Sequence, residues 1–176
     1  MSAGHRQIPT VRVRNKNVWR CVPSAFEPTA LESGPSFTKD RRYSVQGEFG
    51  AVYFSGSKTL SEFESDERGG GDTERMSYLA FELTVDKLVD LTLQETRDHL
   101  GVQLEDLVRP RIAKDRYEVT QAVAREVYAK RLNGLIVPSV HDPNHQKPDW
   151  FNVVLYPAHL LRVCLRPVQN KTFPKD

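Results

Sequence analysis

The apolar residues of this chain occur in short runs, and this patterning limits what the chain can fold into. Runs such as residues 50–55 and 151–156 have the length of a buried strand rather than of a helix. No run approaches the ~20 apolar residues that a membrane-spanning helix needs. Many short strands with a few helices predict a mixed α+β fold. A chain of 176 residues is long enough for one such domain with its own core.

The hydrophobic periodicity places the expected elements along the chain. Strands are predicted over residues 11–14, 18–22, 50–55, 76–85, 135–137, 151–156 and 160–165. Helices are predicted from Lys58, with Ser57 as the N-cap, over 93–101, ending at Gly101, and over 117–132. Residues 23–48 are predicted to be a long loop that contains one short helix near 29–33. The segment 66–74 is predicted to be a flexible connection, and 141–150 a polar turn region.

The charge and the cysteine content indicate which partners the protein binds and in which cellular compartment it functions. Lysine and arginine number 25 against 23 acidic residues, and the net charge of +2 is too small to indicate a dedicated nucleic-acid surface. The polar N-terminus contains no apolar signal core, so we expect a soluble, cytoplasmic protein that does not bind a membrane. Cys21 and Cys164 match no metal or redox spacing and suit a reducing compartment as small buried residues.

Polar residues stand at four places where a purely structural reading expects none. They are Arg41-Arg42-Tyr43 in the long loop, Tyr53 with the following Glu62 and Glu64, Ser139 after a buried strand, and Asn152 opening another strand. Arginine binds phosphate oxygens, tyrosine stacks on rings, and a carboxylate stabilises an oxocarbenium-like centre. Such a set suits an anionic, sugar-containing substrate. Each residue also has an ordinary explanation as a solvated charge, a turn serine or a strand-edge amide, so spacing alone names no reaction.

Two other kinds of site find less support. His141 and His145, with Asp142 and Asp149, match no strong metal signature, and we expect no metal site. Ser139 lies in no G-x-S-x-G sequence, which argues against a serine hydrolase of that type.

Taken in order, these segments resemble the RES domain family, which is named for an arginine, a glutamate and a serine. The N-terminal match is Arg42 to Gly47, then Ala51 to Phe54, then a helix bearing the glutamate. The C-terminal match is more specific: the helix at 120–125, the strand and Pro-Ser segment at 133–139, and the asparagine-opened strand at 151–157. The resemblance extends from about residue 18 to residue 167.

The resemblance implies a fold related to ADP-ribosylating toxins, with NAD⁺ in a cleft between strand layers. It implies a bacterial type II toxin that degrades NAD⁺ at the nicotinamide–ribose bond, using water or phosphate as the acceptor and no cofactor beyond the substrate. It also implies an Xre-like antitoxin as partner. The alternatives are a protein ADP-ribosyltransferase and, from another class, a non-catalytic protein-binding module.

The resemblance also implies a role for each matched residue. Arg42 is expected to grip a phosphate or ribose, Tyr53 to contact the nicotinamide riboside, Glu64 to stabilise the ribosyl centre, and Ser139 to bind the substrate beside them. Tyr43 and Asn152 are expected to support them. Arg41 remains an alternative to Arg42, and Glu62 an alternative to Glu64. The chain is predicted to consist of a flexible N-terminal tail (residues 1–10), the catalytic domain (residues 11–167) and a C-terminal tail (residues 168–176).

Overall fold

A six-stranded sheet organises the part of the chain that the computed structural model describes, residues 7–67, 76–109, 117–159 and 164–168. Its strands are β1 (Val11–Pro23), β2 (Val52–Ser55), β3 (Met76–Asp90), β4 (Gly134–Pro138), β5 (Phe151–Leu155) and β6 (Cys164–Pro167). The helices are α1 (Gly34–Phe37), α2 (Lys58–Glu67), α3 (Gln94–Leu100), α4 (Leu104–Val108) and α5 (Glu118–Ala129), with 3-10 turns at Ser24–Thr29 and Pro157–His159. The predicted mixed α+β class is confirmed.

The strand pairings close most of the sheet on itself. The order is β1-β2-β5-β4-β3-β6, and β1 also pairs with β3, so five strands form a circuit and β6 lies beside β3. The long strands β1 and β3 run antiparallel from the Pro23–Met76 pair to the Val11–Leu88 pair. The β3–β4 pairing is parallel, and the remaining pairings are antiparallel.

The alternation of side chains along these strands produces two apolar cores. Because successive residues point to opposite faces, each strand contributes to both. One core consists almost entirely of strand residues from within the circuit, including Val18, Phe54, Leu83 and Val153. The other lies between the opposite face of β2, β5 and β4 and the helices; its members include Tyr43, Val89, Leu107, Val127, Val137, Val154 and Tyr156.

The prediction of two strands before residue 23 is wrong in one respect, because β1 is continuous. The expected break at 15–17 is instead a register irregularity next to β3. Asn15 has a φ of 49°, a left-handed conformation that asparagine tolerates better than most residues. Its main-chain N–H and its side chain both hydrogen-bond the Thr84 hydroxyl, each at 3.1 Å. The strand therefore bulges at this point and does not end.

The predicted helix ends are confirmed where they depend on neighbouring residues in the sequence. The Ser57 hydroxyl accepts the Leu60 N–H at 3.2 Å, as expected of an N-cap. Gly101 ends α3 in the left-handed conformation, with φ 66°. The helix expected near 29–33 is wrong, since the chain forms a 3-10 turn before that segment and α1 after it. The short helix α4 was not predicted.

Some predictions fall outside the described residues. Most of the expected flexible connection at 66–74 and much of the expected strand at 160–165 lie there. The assignment of residues 1–10 and 168–176 as tails stays a prediction, although Ile8 is buried in the helix-side core. Within the described ranges, no helix combines the length and apolar character that crossing a bilayer requires.

Gly134 provides a direct test of the β4–β5 packing. A Cβ added at Gly134 would overlap the main-chain carbonyl of Val154 in the centre of the sheet. We expect Gly134→Ala to lower the free energy of unfolding by about 3 kcal/mol, because backbone atoms must separate to accept the methyl group. Urea denaturation measures this change. Gly34→Ala is the control, since its Cβ meets nothing within 4 Å; equal effects of the two variants would contradict the packing.

Candidate active site

The register of three central strands brings the predicted polar residues onto one face. Ser55 of β2 pairs with Asn152 of β5, which in turn pairs with Val137 of β4. Since side chains two residues apart share a face, Tyr53, Ser55 and Asn152 lie on the side covered by the helices. Ser139 directly follows β4 and lies two residues after Val137, on the same face. Its N–H donates to the Trp150 carbonyl at 3.2 Å. At this end of the face, the apolar core is therefore followed by a polar group that consists of Ser55, Asn152 and Ser139.

Glu64 of α2 is held by two side chains of that face. The Asn152 amide donates to Glu64 Oε1 at 2.8 Å, and the Ser55 hydroxyl donates to Oε2 at 3.1 Å. Ser55 is buried, whereas Glu64 and Asn152 are partly exposed. Both carboxylate oxygens thus have a fixed donor, and the carboxylate keeps access to solvent.

The competing glutamate lies elsewhere on the helix. Glu62 Oε1 forms an ion pair with Lys58 Nζ at 3.2 Å, and the two side chains are 38% and 35% exposed. The spacing of four residues makes this an ordinary surface pair along the helix. The structure therefore brings Glu64, and not Glu62, to Asn152 and Ser55.

The Tyr53 hydroxyl is directed into the protein. It accepts the Tyr43 N–H at 3.2 Å and donates to the Ser44 hydroxyl at 3.3 Å. Burial raises the pKa of Tyr53 to about 12, although its hydrogen bonds with Ser44 and Tyr43 and the charge of Arg41 oppose this rise. The hydroxyl is therefore neutral at physiological pH. The residue as a whole remains partly exposed.

Tyr43 supports this arrangement from the core. Its side chain is 2% exposed, and burial raises its pKa well above the ordinary value. Its carbonyl accepts the Tyr156 hydroxyl at 3.3 Å. Tyr43 thereby fastens the arginine segment to the end of β5.

The two adjacent arginines have different surroundings. The Arg42 guanidinium donates to the carbonyls of Leu107 and Arg109, at 2.9 and 2.7 Å, and lies 5.6 Å from the Tyr117 ring. It therefore caps the end of α4. Within the described residues, the Arg41 side chain makes no hydrogen bond or ion pair, and its charge acts on the Tyr53 hydroxyl. Of the two, Arg41 has the guanidinium that is not committed to the fold.

Ser139 begins the turn that follows β4. It is fully buried, and its hydroxyl oxygen accepts the His141 N–H at 3.2 Å. Its carbonyl accepts the Asp142 N–H at 3.1 Å. Because the Ser139 oxygen acts as an acceptor here, the hydroxyl hydrogen remains for donation to another group.

Sequence reasoning missed two features of the site. Ser55 was treated only as a strand end, although its position two residues after Tyr53 indicates a shared face. The second is an aromatic group beside Ser139, in which the Phe63 ring lies 5.0 Å from His141 and 5.6 Å from Trp150. Phe63 is 45% exposed, so part of its side chain is open to solvent beside this polar site.

The described residues contain no group of three or more histidine, cysteine, aspartate or glutamate side chains placed to hold a metal ion. Asp142 of the histidine-containing turn instead accepts the Lys147 N–H at 2.7 Å.

The fold and this polar group define a mixed α+β domain with a carboxylate, an amide and a serine gathered on one sheet face. The family model described as RES domain matches residues 17–176, so the chain belongs to the RES domain family. A solved structure with a similar fold is the crystal structure of the M. tuberculosis MbcT–MbcA toxin–antitoxin complex. The match has a TM-score of 0.64 at 18% identity and covers 94% of this chain and 86% of that chain. A comparison with curated proteins gives no significant match.

The contrast between the arginines predicts different effects on stability. Arg42→Ala removes the donors of two carbonyls, and we expect the free energy of unfolding to fall by about 2 kcal/mol. Arg41→Ala removes no such bond, so a change within about 0.5 kcal/mol is expected. Thermal and urea unfolding of the two variants measure this difference. A loss of stability in the Arg41 variant equal to that of the Arg42 variant would contradict the geometry.

Proposed function

We propose that this chain is the toxin of a type II toxin–antitoxin pair and consumes NAD⁺ by breaking the bond between nicotinamide and ribose. The observation that carries the proposal is the Glu64 carboxylate, which the Asn152 amide and the Ser55 hydroxyl hold in a fixed orientation. Membership of the RES domain family supports it, as does the fold shared with a chain of a toxin–antitoxin complex.

The proposed reaction needs a negative group next to a developing positive charge. As the glycosidic C–N bond breaks, its electron pair leaves with nicotinamide, and the ribose carbon becomes oxocarbenium-like. A carboxylate with fixed donors on both oxygens is already oriented and needs little rearrangement to stabilise that carbon. Water or phosphate then attacks the carbon; when water attacks, it gives up one proton. The products are nicotinamide and ADP-ribose or its phosphate.

The remaining residues suit the other parts of NAD⁺. The Ser139 hydroxyl offers a donor to a ribose or amide oxygen, and the partly exposed Tyr53 ring offers a face for a planar group. The uncommitted Arg41 guanidinium suits the pyrophosphate better than Arg42, because Arg42 already donates to two carbonyls. The exposed Phe63 with Trp150 and His141 adds an aromatic wall at the same end.

We further propose a cognate antitoxin as protein partner, for which the resemblance suggests the Xre-like type. The name of the similar complex supports a partner of this kind. The exposed Phe63 ring beside the site gives an apolar contact that such a partner would cover.

Matched glutamate variants test the proposed reaction. We expect bacteria that express the wild type or Glu62→Gln to lose cellular NAD⁺ rapidly. Glu64→Gln should consume NAD⁺ about 100-fold more slowly, because it loses the charge that stabilises the ribosyl centre. Total NAD⁺ per cell is followed after induction, with soluble protein and its melting temperature measured for each variant.

The two substituted positions lie two residues apart on the same helix, so general effects of the substitution are controlled. Equal NAD⁺ loss with Glu64→Gln and wild type would contradict the proposal. Growth arrest with normal NAD⁺ and radiolabel transferred from NAD⁺ to a protein would instead identify an ADP-ribosyltransferase.

A further inference from the structure

A cavity lies at the opposite end of β4 from Ser139. It has a volume of about 480 Å³, and its lining includes Lys87, Lys130 and Arg131 around the apolar side chains of Ile8 and Leu132. Ser139 lies six positions after Asn133, so the two ends are about 20 Å apart at the usual rise of a strand. The cavity is therefore distinct from the polar group around Glu64.

The three cations of this cavity are exposed side chains for which the described part of the chain provides no ion-pair partner. In the described ranges, none of Lys87, Lys130 and Arg131 forms an ion pair. The neighbouring acid Asp86 has its carboxylate engaged by the Asn133 amide at 3.0 Å. The lining thus combines two apolar residues, Ile8 and Leu132, with three cations, and the one adjacent carboxylate, Asp86, is hydrogen-bonded to Asn133.

Two of these cations occupy backbone positions that disfavour them. Lys87 has a φ of 54° and Arg131 a φ of 55°. This left-handed conformation costs a non-glycine residue about 1 kcal/mol, and glycine or asparagine is the usual occupant. The chain carries long cationic side chains at two strained positions that line the same cavity.

The helix that ends nearby explains only part of this pattern. Lys130 and Arg131 follow the C-terminus of α5, where positive charge stabilises a helix. The last carbonyls of α5 are already satisfied, since the N–H groups of Lys130 and Arg131 donate to Glu126 and Tyr128. Lys87 belongs to β3, so stabilisation of a helix C-terminus does not explain the presence of its positive charge in the cavity.

We propose that this cavity binds a small phosphorylated ligand of about mononucleotide size. Cavities of roughly 300–1,000 Å³ suit small molecules, and this volume falls in that range. The Arg131 guanidinium and the two ammonium groups suit phosphate oxygens, while Ile8 and Leu132 suit a ring or sugar carbon face. A concave site with three cations, in a chain of net charge +2, favours a small ligand over a long nucleic-acid duplex.

Paired asparagine variants test this site with inorganic pyrophosphate as the probe. Calorimetric titration of the wild-type chain should show saturable binding, and the Lys87→Asn/Arg131→Asn double variant should bind at least tenfold more weakly. Because asparagine tolerates the left-handed conformation, this variant should melt no lower than the wild type without ligand. Loss of binding without loss of stability separates ligand recognition from a structural role.

The control is Arg12→Asn/Arg14→Asn, which removes the same charge from exposed positions of β1 that do not line the cavity. It should bind pyrophosphate within twofold of the wild type at the same salt concentration. Three results would overturn the proposal: no binding by the wild type, equal weakening in both double variants, or unchanged binding after Lys87→Asn/Arg131→Asn. Tighter binding of a short DNA duplex than of pyrophosphate, lost in the same variant, would overturn it in favour of nucleic acid.

Discussion

The hydrogen bonds from Asn152 and Ser55 to Glu64 connect α2 to the adjoining ends of β2 and β5. Bonds to an ionised carboxylate are stronger than neutral ones, and two donors on separate strands fix both oxygens. The β2–β5 register places the donors directly opposite each other, so the position of the carboxylate depends on strand pairing and not on a loop. A site built on strands is held more rigidly than one built on loops, and this precision is what stabilisation of a short-lived ribosyl cation requires.

The arginine segment is held in place by a second network. The Tyr53 hydroxyl bridges the Tyr43 N–H and the Ser44 hydroxyl, and Tyr156 bonds the Tyr43 carbonyl from the end of β5. Gln121 of α5 adds bonds to the carbonyls of residues 41 and 44. A loop that looks irregular in the sequence is therefore fixed on three sides, with Arg41 half-buried within it. The consequence is that an uncommitted cation stands near enough to the Tyr53 hydroxyl for its charge to lower the pKa of that group.

The sequence predicts what depends on neighbouring residues and misses what depends on distant ones. The Ser57 cap and the end of α3 follow from local chemistry, and both were predicted. The bulge at Asn15 depends on Thr84, which lies 69 residues away, so the pattern suggested a break. The choice between Arg41 and Arg42 depends on carbonyls of the unpredicted α4, 65 or more residues away. The family resemblance predicts the candidate residues, whereas the strand register and the Glu64 hydrogen bond bring Ser55 next to them.

The account rests on the claim that NAD⁺ occupies the face between Glu64, Asn152 and Ser139. A crystal structure of the Glu64→Gln variant with NAD⁺ tests this claim most directly, because the slowed variant should retain its substrate. The account predicts the nicotinamide-bearing ribose within hydrogen-bond distance of the side chain at position 64, with the Ser139 hydroxyl donating to the same ligand. NAD⁺ bound elsewhere on the domain, with Ser139 and Asn152 out of contact, would contradict it.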